Sequence, residues 1–138
     1  MMISRKKSWV EKRDCGKMPH VTTIEKSFAG VPAGSKLLIS SPSEINEFVQ
    51  TIPKGKQIDP LEMRRELVQH YLADATCPVS TGIFLRIVAE AAIEEYKAGK
   101  PLEAITPFWR IINPNSALFK KLDMTIDEYE KLKKMAEE

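Results

Sequence analysis

The chain is poor in the residues that most often announce a chemistry. Its 138 residues hold only two cysteines, Cys15 and Cys77, and two histidines, His20 and His70. Two cysteines give no disulfide framework. Without metal-ligand spacing to the histidines they give no zinc site either, and nothing in the sequence calls for a metal or other cofactor. No apolar run approaches the roughly 20 residues that would span a bilayer, so no membrane partner is expected. The leading segment is basic but has no apolar core of the kind a secretory leader needs, which points to a cytoplasmic protein. No internal repeat or low-complexity tract is present. What remains is one ordinary soluble domain, long enough for a real core.

Charge is informative once it is divided along the chain. Residues 1–36 carry eight Lys/Arg (Arg5, Lys6, Lys7, Lys12, Arg13, Lys17, Lys26, Lys36) against Glu11, Asp14 and Glu25, a balance of +5. The rest of the chain is −3, for a total of +2. The sequence therefore divides into a basic extension, 1–40, and a body, 41–138. A basic arm can follow phosphates or be a solvated tail. A short helix is expected near Ser8–Arg13, with Trp9 and Phe28 docking the arm on the body. Lys36–Ser40 suits a short strand.

The body opens with strong helix signals. Ser41-Pro42-Ser43-Glu44 reads as a capping box with Pro at the first helical position. Ile45, Phe48, Val49 and Ile52 follow at helical spacing, and Pro53 and Gly55 end the run. Asp59-Pro60-Leu61-Glu62 starts a second helix that ends near Ala73. A third is capped by Ser80 or Thr81 and runs to about Ala98, where Gly99 and Pro101 stop it. It is apolar nearly all round, with Arg86, Glu90, Glu94 and Lys97 as a narrow polar stripe, so most of it must be buried. Residues 104–122 read as loop or extended chain. Thr125-Ile126-Asp127-Glu128 caps a terminal helix. The fold class expected is mainly α: a winged-helix-like domain with a helix-turn-helix unit and at most short strands.

Three segments, in order, resemble the DNA-binding domain of the alkylguanine-DNA alkyltransferases, over residues 41–138. Ile52-Pro53-Lys54-Gly55-Lys56 matches the family's Ile-Pro-x-Gly. The helix from Pro60 takes the place of a Tyr-Gly-Glu-Ile-Ala helix, with Glu62 in register and Pro60 at the Tyr position. The helix from Thr81 takes the place of the recognition helix. Thr106-Pro107-Phe108-Trp109-Arg110-Ile111-Ile112 matches Pro-Cys-His-Arg-Val at Pro107 and Arg110. That family moves an alkyl group from guanine to its cysteine. Here Phe108 stands at the cysteine and Trp109 at the activating histidine. A phenyl ring cannot accept an alkyl group by this chemistry, and an indole is a donor without a basic nitrogen. The chain is in this respect similar to alkyltransferase-like proteins, which bind alkylated DNA without repairing it. Glu137 corresponds loosely to the family's terminal glutamate, which orients the histidine.

The resemblance implies a non-enzymatic binder of double-stranded DNA that senses modified bases and calls on a repair protein. Its DNA contacts would be Lys54, Lys56, Ser80, Thr81, Gly82, Arg86 and Arg110. Pro107, Phe108 and Trp109 would line a base pocket or, alternatively, plug the vacated one. The base-flipping arginine of the family is missing, since the helix begins Ser80-Thr81-Gly82 and Arg86 follows more than a turn later. Glu90, Glu94 and Glu95 would repel phosphates if their face met DNA. Those departures motivate a second reading, a protein-interaction module with an apolar patch at Phe108 and Trp109. A third is an enzyme using Cys77, which lies just before a helix start that would lower its pKa, with His70 as base.

Overall fold

The computed structural model describes residues 6–138. It is mainly helical, with a three-stranded mixed sheet. The elements are α1 (Trp9–Arg13), β1 (His20–Thr23), β2 (Lys36–Ile39), α2 (Pro42–Gln50), α3 (Pro60–Tyr71), β3 (Ala75–Thr76), α4 (Pro78–Lys97) and α5 (Ile126–Glu137). Three single 3-10 turns, Leu102–Ala104, Phe108–Arg110 and Phe119–Lys121, lie between α4 and α5. No helix among the described residues is long and apolar enough to cross a membrane.

The helix starts follow local chemistry. Ser8 and Thr125 each close a reciprocal capping box, with Glu11 and Glu128. Asp59 caps α3 and Ser41 caps α2, in both cases ahead of a Pro at the first helical position. The Ser41 box is only half formed. Ser41 accepts from the Glu44 amide, but the Glu44 carboxylate accepts instead from Ser40 Oγ and Tyr71 Oη, tying β2, α2 and α3 together. That hydrogen bond, with burial and the carboxylate's charge, pushes the Tyr71 phenol up to about 12.

α4 begins earlier than its sequence suggests. Cys77 is the N-cap, Pro78 occupies the first turn, and Ser80 and Thr81 lie inside the helix. Proline suits that place because its missing N–H is one of the helix's unpaired amides anyway. At the other end Gly99, at φ +103°, takes the left-handed turn that stops α4.

The sheet contains two strands that periodicity alone does not reveal. β2 is central, antiparallel to β1 and parallel to β3. Leu37 and Leu38 of β2 are buried, whereas β1 is exposed throughout and β3 is two residues long. Leu38 belongs to the same core as Ile45, Val49, Met63, Val88 and Trp109. β2, at the end of the basic extension 1–40, thus packs into the core of the body. Trp9 docks as expected, but Phe28 does not. Phe28 bridges Val31 in a hairpin and stays half exposed.

Candidate functional site

The 106–112 motif is held from three sides. Phe108 N donates to Thr106 O at 2.8 Å across Pro107, an inverse γ-turn with φ −78° and ψ 67°. The buried Thr106 hydroxyl donates to Asn46 Oδ1 of α2 at 2.6 Å. The loop after α2 joins along one edge, with Gln57 Nε2 donating to Trp109 O and Ile58 N to Arg110 O. Tyr129 of α5 closes the other side, its hydroxyl donating to the carbonyls of Trp109 and Ile112.

Phe108 is fully buried and Trp109 is 1% exposed, with their rings edge-to-face at 5.4 Å. Both belong to the central core. A base could stack on them only after core side chains moved, so the aromatic pair fills the space rather than walling an open base pocket. An exposed apolar patch at these two residues is likewise not what the fold builds. A cleft does lie beside the motif, lined by Pro107, Trp109 and Arg110, but Lys54, Glu103 and Glu138 share it, and Trp109 offers it almost no surface.

Glu137 is the centre of this region. Its carboxylate accepts from Trp109 Nε1 at 3.2 Å, from Arg110 Nε at 2.9 Å and Nη2 at 3.3 Å, and from Gly55 N at 3.3 Å. Chiefly the Arg110 hydrogen bond holds the Glu137 carboxyl below the usual carboxylate range. Arg110 also donates to Ile52 O, so its guanidinium joins α2 to α5 instead of facing a phosphate. Lys54 donates to the carbonyl of Glu138, and Lys56 lines a crevice with Glu62 and Glu66. These lysines, expected on the DNA side, have carboxylates for neighbours.

The first two turns of α4 are different. Val79, Gly82, Ile83 and Arg86 recur at helical spacing along a groove that is completed by Trp9 and Lys12 of α1 and by Ile87, Leu118 and Lys121. The groove encloses about 570 Å³, and no carboxylate among the described residues lines it. Val79 and Ile83 are each 54% exposed. A Cβ added at Gly82 would meet nothing within 4 Å, so another molecule's backbone can approach there. Of the other residues expected to meet DNA, Thr81 is buried and donates to Cys77 O, and the Ser80 hydroxyl is shielded with no partner among the described residues. Neither side chain is available to a ligand. A second groove is lined by Pro78, with Arg64, Arg65 and Gln69 of α3 among its walls. Its one carboxylate, Asp74, accepts from Lys36 N.

The acidic stripe of α4 is not a wet face. Glu90 is 3% exposed and accepts from Asp123 N, with Arg86 at 3.6 Å. Glu94 accepts from the backbone amides of Trp9 and Val10, and Glu95 pairs with Arg13 and Lys100. Burial raises the Glu95 carboxyl, but hydrogen bonds from Arg13 and Lys100 outweigh it and keep it low. α1 thus covers two of the carboxylates that would have repelled a polyanion, Glu94 and Glu95.

Cys77 and His70 are not brought together as a nucleophile and base. The buried thiol accepts from Ser80 N as part of the helix cap, while His70 is exposed with its ring against Tyr71. Among the described residues no group of three or more His, Cys, Asp or Glu is placed to hold a metal ion. No motif marks Trp9, Lys12, Lys121, Arg64 or Arg65 as binding residues. The only sequence signals for them are the basic balance of the leading segment and the paired arginines of α3. A search of protein-family models, curated proteins and solved structures finds no match to the chain.

Proposed function

We propose that the protein is a non-enzymatic, alkyltransferase-like binder of double-stranded DNA that lays the first two turns of α4 against the duplex. The observation that carries this is the α4 groove, walled by Lys12, Arg86 and Lys121 and lined by no carboxylate among the described residues. Arg64 and Arg65 line the second groove, which Pro78 of the first turn of α4 also lines, so further positive charge lies near the start of the helix. A helix start with cations around it suits the neighbourhood of phosphate strands. Alkyl transfer is not part of the proposal, since Phe108 and Trp109 offer neither a nucleophile nor a base. Base readout at Pro107, Phe108 and Trp109 is left out as well, because those residues are buried.

The test is fluorescence anisotropy with duplexes carrying plain or O-methylated guanine, at low and physiological salt. Equal binding to both, falling steeply with salt, is the expected result. No binding at low salt would sink the proposal. Tighter binding to the methylated duplex, lost in Trp109→Ala, would restore a base pocket at the motif. The rival reading, a protein-interaction module, draws on the exposed Val79 and Ile83. It predicts that Ile83→Lys abolishes partner binding, whereas a DNA binder would gain affinity from the added charge.

A further inference from the structure

We infer that α1 is a working wall of the α4 groove: it supplies Lys12 and Trp9 to the DNA-facing surface and fixes the direction of Arg86. This rests on the DNA-binding reading above and adds to it a role for the leading segment other than diffuse charge.

A five-residue helix has no stability of its own in water, so the position of α1 depends on what holds it. Glu94 accepts from Trp9 N at 3.1 Å and from Val10 N at 3.3 Å, and Arg13 Nη1 meets Glu95 Oε1 at 2.7 Å. These contacts turn the acidic side of α4 into an anchor. They also set Trp9 at the edge of the groove, where its ring carries two cations. Lys12 Nζ lies 4.3 Å and Arg86 Cζ 5.2 Å from the ring centroid. Such contacts are favourable and orient long, otherwise mobile side chains. Arg86 is further held by the Lys121 carbonyl at 3.2 Å and the buried Glu90 carboxylate at 3.6 Å, yet its Nε is shielded and has no hydrogen-bond partner among the described residues, so the ring of Trp9 is what its remaining face meets. Trp9 is therefore a positioning residue for two of the three cations around the groove. With α1 removed, Lys12 is lost, Arg86 loses its platform, and Glu94 and Glu95 are unmasked beside the DNA.

The decisive variant is Glu94→Gln, measured by anisotropy with a short fluorescein-labelled duplex over a salt series. Long-range electrostatics alone expects this loss of negative charge to tighten DNA binding. If α1 must be seated to complete the groove, Glu94→Gln instead weakens binding, by about threefold, because a neutral amide holds the two amides less well. Trp9→Ala should weaken binding by about tenfold and flatten the salt dependence by one to two phosphate contacts, and Trp9→Phe should restore most of it. Lys12→Ala, which leaves α1 seated, should flatten the dependence by about one. Circular dichroism of each variant verifies that the body is folded. Wild-type protein that binds while Glu94→Gln binds as tightly or tighter, and Trp9→Ala keeps the wild-type salt slope, would overturn the role of α1 and leave DNA binding standing. Wild-type protein that binds no duplex would remove the DNA reading, and this inference with it.

Discussion

The 106–112 motif and the first two turns of α4 contrast in almost every physical respect. The motif is rich in aromatics and looks like a site, but its rings are buried and its guanidinium and indole are already bound to Glu137. The start of α4 is plain in sequence, with small and aliphatic residues, yet it lines an open groove with three cations around it. Large aromatic side chains gain most from burial, so an aromatic cluster is weak evidence for a binding surface unless something keeps it from packing. A glycine beside two aliphatics becomes informative only when neighbouring elements leave it uncovered.

The sharpest way to break the contrast is Trp109→Ala. If the motif is core, this costs about 3–5 kcal/mol of stability, read as a lower denaturation midpoint, with DNA affinity of the folded fraction unchanged. A stable protein with lost affinity would make the motif a site after all. Glu137→Gln should cost less, about 1.5–3 kcal/mol, because it weakens charge-assisted hydrogen bonds from two side chains and one amide. Its pH dependence follows from sign. The Glu137 carboxyl is lower in the folded protein than its ordinary value of 4.5. Its stabilisation is therefore complete above about pH 4.5 and is lost as pH falls through the folded value. Urea titrations at neutral and acid pH should show the wild type losing stability on acidification more steeply than the variant.

On the other side of the comparison, Arg86→Ala should lower the duplex affinity of the folded protein by about tenfold, roughly 1.4 kcal/mol, and also lower the midpoint, because the buried Glu90 carboxylate loses its cation. A large stability loss and unchanged binding would assign Arg86 to the fold through Glu90 and Lys121. The smallest effects belong to Lys54→Ala and Lys56→Ala. These exposed lysines have Glu137, Glu138, Glu62 and Glu66 in their surroundings, and each change should alter affinity by less than about twofold and stability by within about 0.5 kcal/mol. A marked loss of binding in either would move the DNA surface to the loop after α2.

Much of the architecture is legible in the order of residues alone. Ser41, Asp59 and Thr125 announce α2, α3 and α5, because a cap is a hydrogen bond within three residues and needs nothing distant. The nearly all-apolar centre of α4 announces a buried helix in the same way. The start of α4 reads too late because Ser80 and Thr81 are better caps by type than Cys77, although Pro78 already marks the first turn. β3 has no sequence signal, since two residues have no period and are a strand only because β2 lies alongside. Phe28 reads as a docking residue because it is large and apolar, but the 28–31 hairpin turns it outward.

By itself, then, the sequence determined most of the local starts and stops of the helices and the leading basic balance. These are properties of side-chain type and of contacts a few residues apart. Only the tertiary structure decided which polar groups meet water. Glu90, Glu94 and Glu95 read as carboxylates that would face a polyanion, and they are largely covered because Asp123, Trp9, Val10 and Arg13, all far away in the chain, come to lie against them. Exposure depends on every element packed around a residue, and that long-range sum separates the buried aromatic motif from the open cationic groove.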